Sequence, residues 1–115
     1  MSLADSAPIV QKAYDLSLWL LPKVERFPRT YRFTVGDRIT NTMLDLLTAL
    51  VEAAYSARRD APLDRAIRDL NCLRFLMRLS KDLKLLSMES YGFASGIIEE
   101  LGRMAGGWRK ASATR

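Results

Sequence analysis

The chain has 115 residues, 49% of them hydrophobic and 27% charged, with 18 lysines and arginines against 13 acidic residues. One domain burying roughly two-thirds of its unfolded surface fits that length, and 6 glycines with 4 prolines weigh against both disorder and a turn-rich all-β fold. The absence of histidine and the single Cys72 disfavour Ser-His-Asp or Cys-His catalysis and rule out an intrachain disulfide, and no metal-binding motif appears, so a non-enzymatic protein without a cofactor is expected.

The first predicted helix starts near Ser6, a candidate N-cap, with Pro8 in its first turn. Val10, Ala13, Tyr14, Leu18, Leu21 and Val24 follow steps of three and four residues. Pro22 lies inside the pattern and predicts a kink or an end near Leu21, with Lys23 to Arg26 as an irregular last turn and Pro28 as a stop.

Arg29 to Ile39 reads RTYRFTVGDRI. An extended Tyr31-Arg32-Phe33 would put both rings on one side, where they either stack on bases or, the favoured reading, close the top of a bundle. Thr34-x-x-Asp37 has the form of a capping box for a second helix. There Ile39, Met43, Leu46, Leu50 and Ala53 adjoin a second stripe of Leu44, Leu47, Val51 and Ala54. Such a broad apolar arc needs more than one neighbour.

Asp60-Ala61-Pro62 predicts the start of a third helix ending near Leu86. Leu63, Ala66, Ile67, Leu70, Leu73 and Met77 form one side of it, and Cys72, Phe75, Leu76, Leu79, Leu83 and Leu86 nearly the opposite side. One face packs within the bundle and the other meets a second protomer, although a central helix of a monomer has the same pattern. Cys72, among these neighbours, reads as a small buried hydrophobe.

Ser87 to Ser90 supply caps for a fourth helix carrying Tyr91, Ala94, Ile97, Ile98, Leu101, Met104 and Ala105, which Gly106-Gly107 is expected to end. The prediction is an all-α antiparallel four-helix bundle in a single domain over 1–115, ordered from about 8 to 107, with a basic tail from about 108 to 115. No run is long and apolar enough to span a membrane, and the N-terminus lacks the features of a signal peptide, so a cytoplasmic protein is expected.

Charge is segregated. Pro22 to Arg38 holds five cations against Glu25 and Asp37, and Pro62 to Leu86 holds six against Asp64, Asp69 and Asp82, whereas Ile39 to Ala57 carries only Asp45 and Glu52. Arg74, Arg78, Lys81 and Lys84, spaced four, three and three apart, fall on one predicted helix stripe. Arg58, Arg59 and Arg68 extend the positive region, and Arg29, Arg32 and Arg38 stand as supporting contacts. The pattern suits the phosphates of RNA or DNA; the alternative is a solvated face. Asp37, Glu99 and Glu100 are better explained by capping and solvation than by acid-base chemistry.

The stretch RTYRFTVGDRI, the apolar helix after it, and the pattern from Tyr91 to Gly106-Gly107-Trp108 resemble the small four-helix-bundle family that contains the accessory variability determinants of diversity-generating retroelements. Bundle proteins encoded in intervening sequences of 23S ribosomal RNA genes are similar. The resemblance spans about Ile9 to Lys110. It implies a barrel-shaped homopentamer whose basic surface binds nucleic acid and engages a reverse transcriptase, which performs mutagenic cDNA synthesis from a template-repeat RNA. The alternatives are an oligomeric bundle of the ribosomal intervening-sequence type and an interaction scaffold without affinity for nucleic acid.

Overall fold

Four segments that each carry a stripe of large apolar side chains can bury all four stripes together only by closing round a common axis. The computed structural model, which describes residues 7–113, does so with α1 (Ala7–Glu25), α3 (Asp37–Tyr55), α4 (Asp60–Asp82) and α5 (Met88–Ala113). Between α1 and α3 lie the short helix α2 (Arg29–Tyr31) and a π turn (Arg32–Gly36). Each long helix packs on the two beside it, α1 and α4 both touching α3 and α5. The fold is an all-α antiparallel four-helix bundle, and no strand occurs among the described residues.

Leu16 and Leu20 from α1, Ile39, Met43, Leu46 and Leu50 from α3, Leu63, Leu70, Leu73 and Met77 from α4, and Ile98 and Leu101 from α5 are fully buried along the axis. Ser87 caps α5 as its sequence predicts, its Oγ accepting the Ser90 N–H at 3.0 Å. The cap expected at Ser6 lies outside the described residues.

Several helix boundaries differ from expectation, each for a local reason. α1 runs through Pro22 to Glu25; Pro22 sits on the exposed side, where the carbonyl it leaves unpaired can turn to water. The Thr34-Asp37 capping box does not form. The Thr34 hydroxyl points back to the carbonyls of Thr30 and Tyr31, and the chain from Arg29 is already helical. Gly36 is buried against α1, where an added Cβ would stand 3.0 Å from Val24 Cγ1, so the wide π turn brings bare backbone against Val24. Tyr31, the last residue of α2, is half-buried, but Phe33 in the π turn projects into solvent and closes no core.

Asp60 is the first residue of α4 and makes no capping bond there. α4 stops at Asp82, four residues before the expected Leu86. The stop is a Schellman motif: Leu85 N–H donates to Ser80 O at 2.8 Å, and Lys84 N–H to Lys81 O at 2.9 Å. Lys84 occupies the left-handed position with φ 63°, a conformation that glycine adopts without steric cost. Lys84→Gly is expected to raise stability by about 0.5–1 kcal/mol, measured as a higher denaturation midpoint at unchanged slope.

Gly106-Gly107 does not end α5, which continues to Ala113. The C-terminal turns are tied down by side chains: Arg109 bonds Asp64 at 2.8 Å and pairs with Asp60 at 3.5 Å, both on α4. Trp108 lies beneath the Arg59 guanidinium, 5.5 Å from ring centroid to Cζ. These contacts offset the low helix propensity of two glycines, and residues 108–113 are helix instead of a tail.

Candidate nucleic-acid interface

Arg74, Arg78 and Lys81 do share a stripe on α4, on the flank that meets α5. The Arg74 side chain lies over α5, where its Nη2 would stand 3.7 Å from a Cβ at Gly102, and Nη1 donates to Asn71 Oδ1 at 2.9 Å. Its Nε is buried, 3.5 Å from Glu99 Oε1, and makes no hydrogen bond, so the ion pair is loose. Arg78 is exposed and makes no ion pair or side-chain hydrogen bond among the described residues. Lys81 Nζ sits 4.8 Å from the Tyr91 ring centroid and 3.4 Å from Asp82 Oδ1. Lys84 falls outside the stripe because the helix has ended, although it remains exposed.

The other candidates do not join this row. Arg59 is 6% exposed: Nε donates to Ala53 O at 3.2 Å, closing the end of α3, and the guanidinium covers Trp108. It is a structural residue. Arg58 is exposed in the α3–α4 connection, at the opposite end of the bundle from Lys81. Arg32 is half-buried, donating from Nε to Phe27 O at 3.4 Å beside the Phe33 ring. Arg29 and Arg38 are exposed without side-chain partners among the described residues, at the same end as Lys81 and Lys84. In a molecule 46 Å long, nine of the ten positions therefore form one row and two separate end groups, and the tenth, Arg68, stands apart on the α3 side of α4.

Arg68 belongs to a mixed cleft between α3 and α4, lined by Asp45, Thr48, Glu52, Arg65 and Asp69, in which Arg65 bonds Glu52. Burial, and then the nearby Asp45 carboxylate, push the Asp69 pKa above its ordinary 3.8, more than Arg68 and Arg65 lower it. The folded chain thus holds a proton that the unfolded chain has released, and stability falls as pH rises from 3.8 through the raised pKa. Asp69→Asn is expected to raise the thermal midpoint at neutral pH, with the difference vanishing below pH 3.8.

Sequence reasoning missed Arg103 and Lys110 on α5, both exposed and unpaired among the described residues. Their seven-residue spacing, two helical turns, was the available signal; reading Lys110 as part of a tail concealed it.

A family model described as bAvd-like matches residues 8–112. The chain belongs to the bAvd-like family of accessory variability determinants. No curated protein and no solved structure matches it. Membership supports an accessory role in a diversity-generating retroelement, the family being one of non-catalytic proteins. None of the described helices is long and apolar enough to cross a membrane.

This accessory determinant leaves two apolar faces uncovered. On one, Leu21, Pro22 and Thr40 line a shallow depression between α1 and α3, and exposed Tyr14, Leu18, Leu44, Val51 and Tyr55 continue it by helical steps. On the other, Cys72, Phe75, Leu76 and Leu79 line a depression on α4, with Phe33 next to Leu76. Cys72 is exposed, not buried as its neighbours suggest, because Leu70, Leu73 and Met77 on the other side of α4 fill the core.

Proposed function

We propose that this protein is a nucleic-acid-binding accessory subunit that assists the reverse transcriptase of a diversity-generating retroelement during mutagenic cDNA synthesis from a template-repeat RNA. The observation that carries the reading is the α4 row of Arg74, Arg78 and Lys81 on a bAvd-like bundle. Its guanidinium forks and ammonium suit phosphate oxygens and read no base sequence. Arg29, Arg38, Lys84 and, at the far end, Arg58 are exposed and add to the positive field. Arg68 lies in the mixed α3/α4 cleft, and Arg59 and Arg32 hold the fold.

The oligomer implied by family likeness, a homopentamer, is supported by the two apolar faces. They are different surfaces, so pairing one with the other is heterologous and closes into a ring when the rotation allows. Their edges carry charges of both signs: Asp15, Glu25 and Arg26 border the α1/α3 face, and Arg38, beside Asp37, and Arg68 border the α4 face.

The test is co-expression of the tagged protein with the reverse transcriptase of its retroelement. Co-purification, with cDNA synthesis on the template-repeat RNA that needs both proteins, is the expected result. An enzyme that neither binds the bundle nor depends on it would overturn the reading.

A further inference from the structure

The α4 row runs beside a helix with an unusual surface. Gly92, Gly96, Gly106 and Gly107 lie within α5, and a Cβ at any of them would meet nothing within 4 Å. Each weakens the helix relative to alanine, and no contact inside the protein requires it. Gly92, Gly96, Arg103 and Lys110, at spacings of four, seven and seven, share one solvent-facing side of α5.

Register places this side next to the α4 cations. Lys81 lies by Tyr91, and Arg74 lies by Glu99 and Gly102. Beyond Gly102, Arg103 and Lys110 carry positive charge along α5 toward the end pinned by Arg109 on Asp60 and Asp64. Lys81, Arg78, Arg74, Arg103 and Lys110 thus follow one another along the α4/α5 face. Of its acidic residues, Glu99 pairs with Arg74 and Asp82 with Lys81, and Glu89, exposed seven residues before Gly96, makes no ion pair among the described residues and closes the face at the first turn of α5 with a negative charge.

The large exposed hydrophobics of α5 are Met88 and Phe93, and Phe93 turns to Trp19 of α1 at 4.9 Å between centroids. A face with so little apolar area offers scant hydrophobic gain to a partner helix, whereas bare backbone edged by cations suits a polyphosphate.

We propose that the row continues from α4 onto α5: a nucleic-acid backbone lies along the shared face, held by Arg103 and Lys110 as well as the α4 cations, and the glycines keep the floor low enough for phosphates to approach the helix. This inference rests on the nucleic-acid reading above and specifies the surface that serves it.

The probes are a labelled RNA single strand and a DNA duplex of equal length, each titrated at several salt concentrations. Arg103→Gln with Lys110→Gln is expected to reduce the slope of log affinity against log salt by about 1.5 units. Gly96→Gln is expected to weaken binding about tenfold while raising the thermal midpoint, since helix propensity improves as the floor is blocked. A loss confined to one probe identifies that form as the ligand.

Wild-type affinity in both α5 variants, with Arg74→Glu, Arg78→Glu and Lys81→Glu together abolishing binding, would overturn the α5 extension alone. Failure of the wild-type protein to bind either probe would overturn the underlying reading as well. A change of molar mass in Gly96→Gln would mark this side as a contact between copies and also overturn the proposal.

Discussion

Leu18→Asp and Phe75→Asp are each expected to dissociate the proposed oligomer to monomers, and an equimolar mixture of the two is expected to form a one-to-one dimer. Leu18 is 59% and Phe75 65% exposed, one at the centre of each apolar face. A carboxylate in either place must be desolvated to enter the interface, and it displaces a side chain of the size that dominates binding energies. A loss of about 3 kcal/mol per contact weakens association more than a hundredfold. The mixture is informative because each variant retains the face that the other has lost. Two intact faces then meet in one pair, whereas an isologous contact would gain nothing from mixing. Molar mass by light scattering reads the result, and unchanged mass in both single variants would exclude these faces from assembly.

Arg59→Ala is expected to lower stability by about 2–3 kcal/mol and to leave the proposed nucleic-acid binding at low salt unchanged. The substitution removes the donor to Ala53 O and uncovers Trp108, freeing both the end of α3 and the last turns of α5. Arg59→Lys recovers little, since an ammonium cannot both lie flat on the indole and present Nε to the carbonyl. Denaturation followed by Trp108 emission in a Trp19→Phe background reports the loss. Wild-type stability with weakened binding would return Arg59 to the interface.

The contrast between Arg59 and Arg78 shows what the sequence conveys. The bundle is legible because Leu63, Leu70, Leu73 and Met77 repeat at helical steps, and such stripes survive any detail of packing. Ser87 is legible because its cap acts within three residues. Arg59 is not: its partner Trp108 is far away in the sequence, and nothing local separates a buried arginine from an exposed one. The same distance conceals why Gly106-Gly107 fails as a stop, since Arg109 finds Asp60 and Asp64 only once α4 and α5 are packed.

Local rules misled where a tertiary contact overrode them. Thr34 and Asp37 have the letters of a capping box, but the fit of Gly36 against Val24 selects a π turn. Lys84 has the right spacing to extend the cation stripe, but it takes the left-handed position that ends α4. The candidate site was therefore legible as a basic α4 flank, but where each cation sits in the packed bundle, Arg59 over Trp108 and Arg68 in the α3/α4 cleft, was not.

The central claim is that the α4 row of Arg74, Arg78 and Lys81 holds phosphate. It is tested most directly by the salt dependence of RNA and DNA binding by the wild-type protein and by Arg74→Glu, Arg78→Glu and Lys81→Glu combined, with helicity monitored by circular dichroism. The account predicts tight binding by the wild type at low salt, and a variant that keeps its helicity while its slope against log salt drops by about two to three units. Equal affinity and equal slope in the two proteins would contradict it.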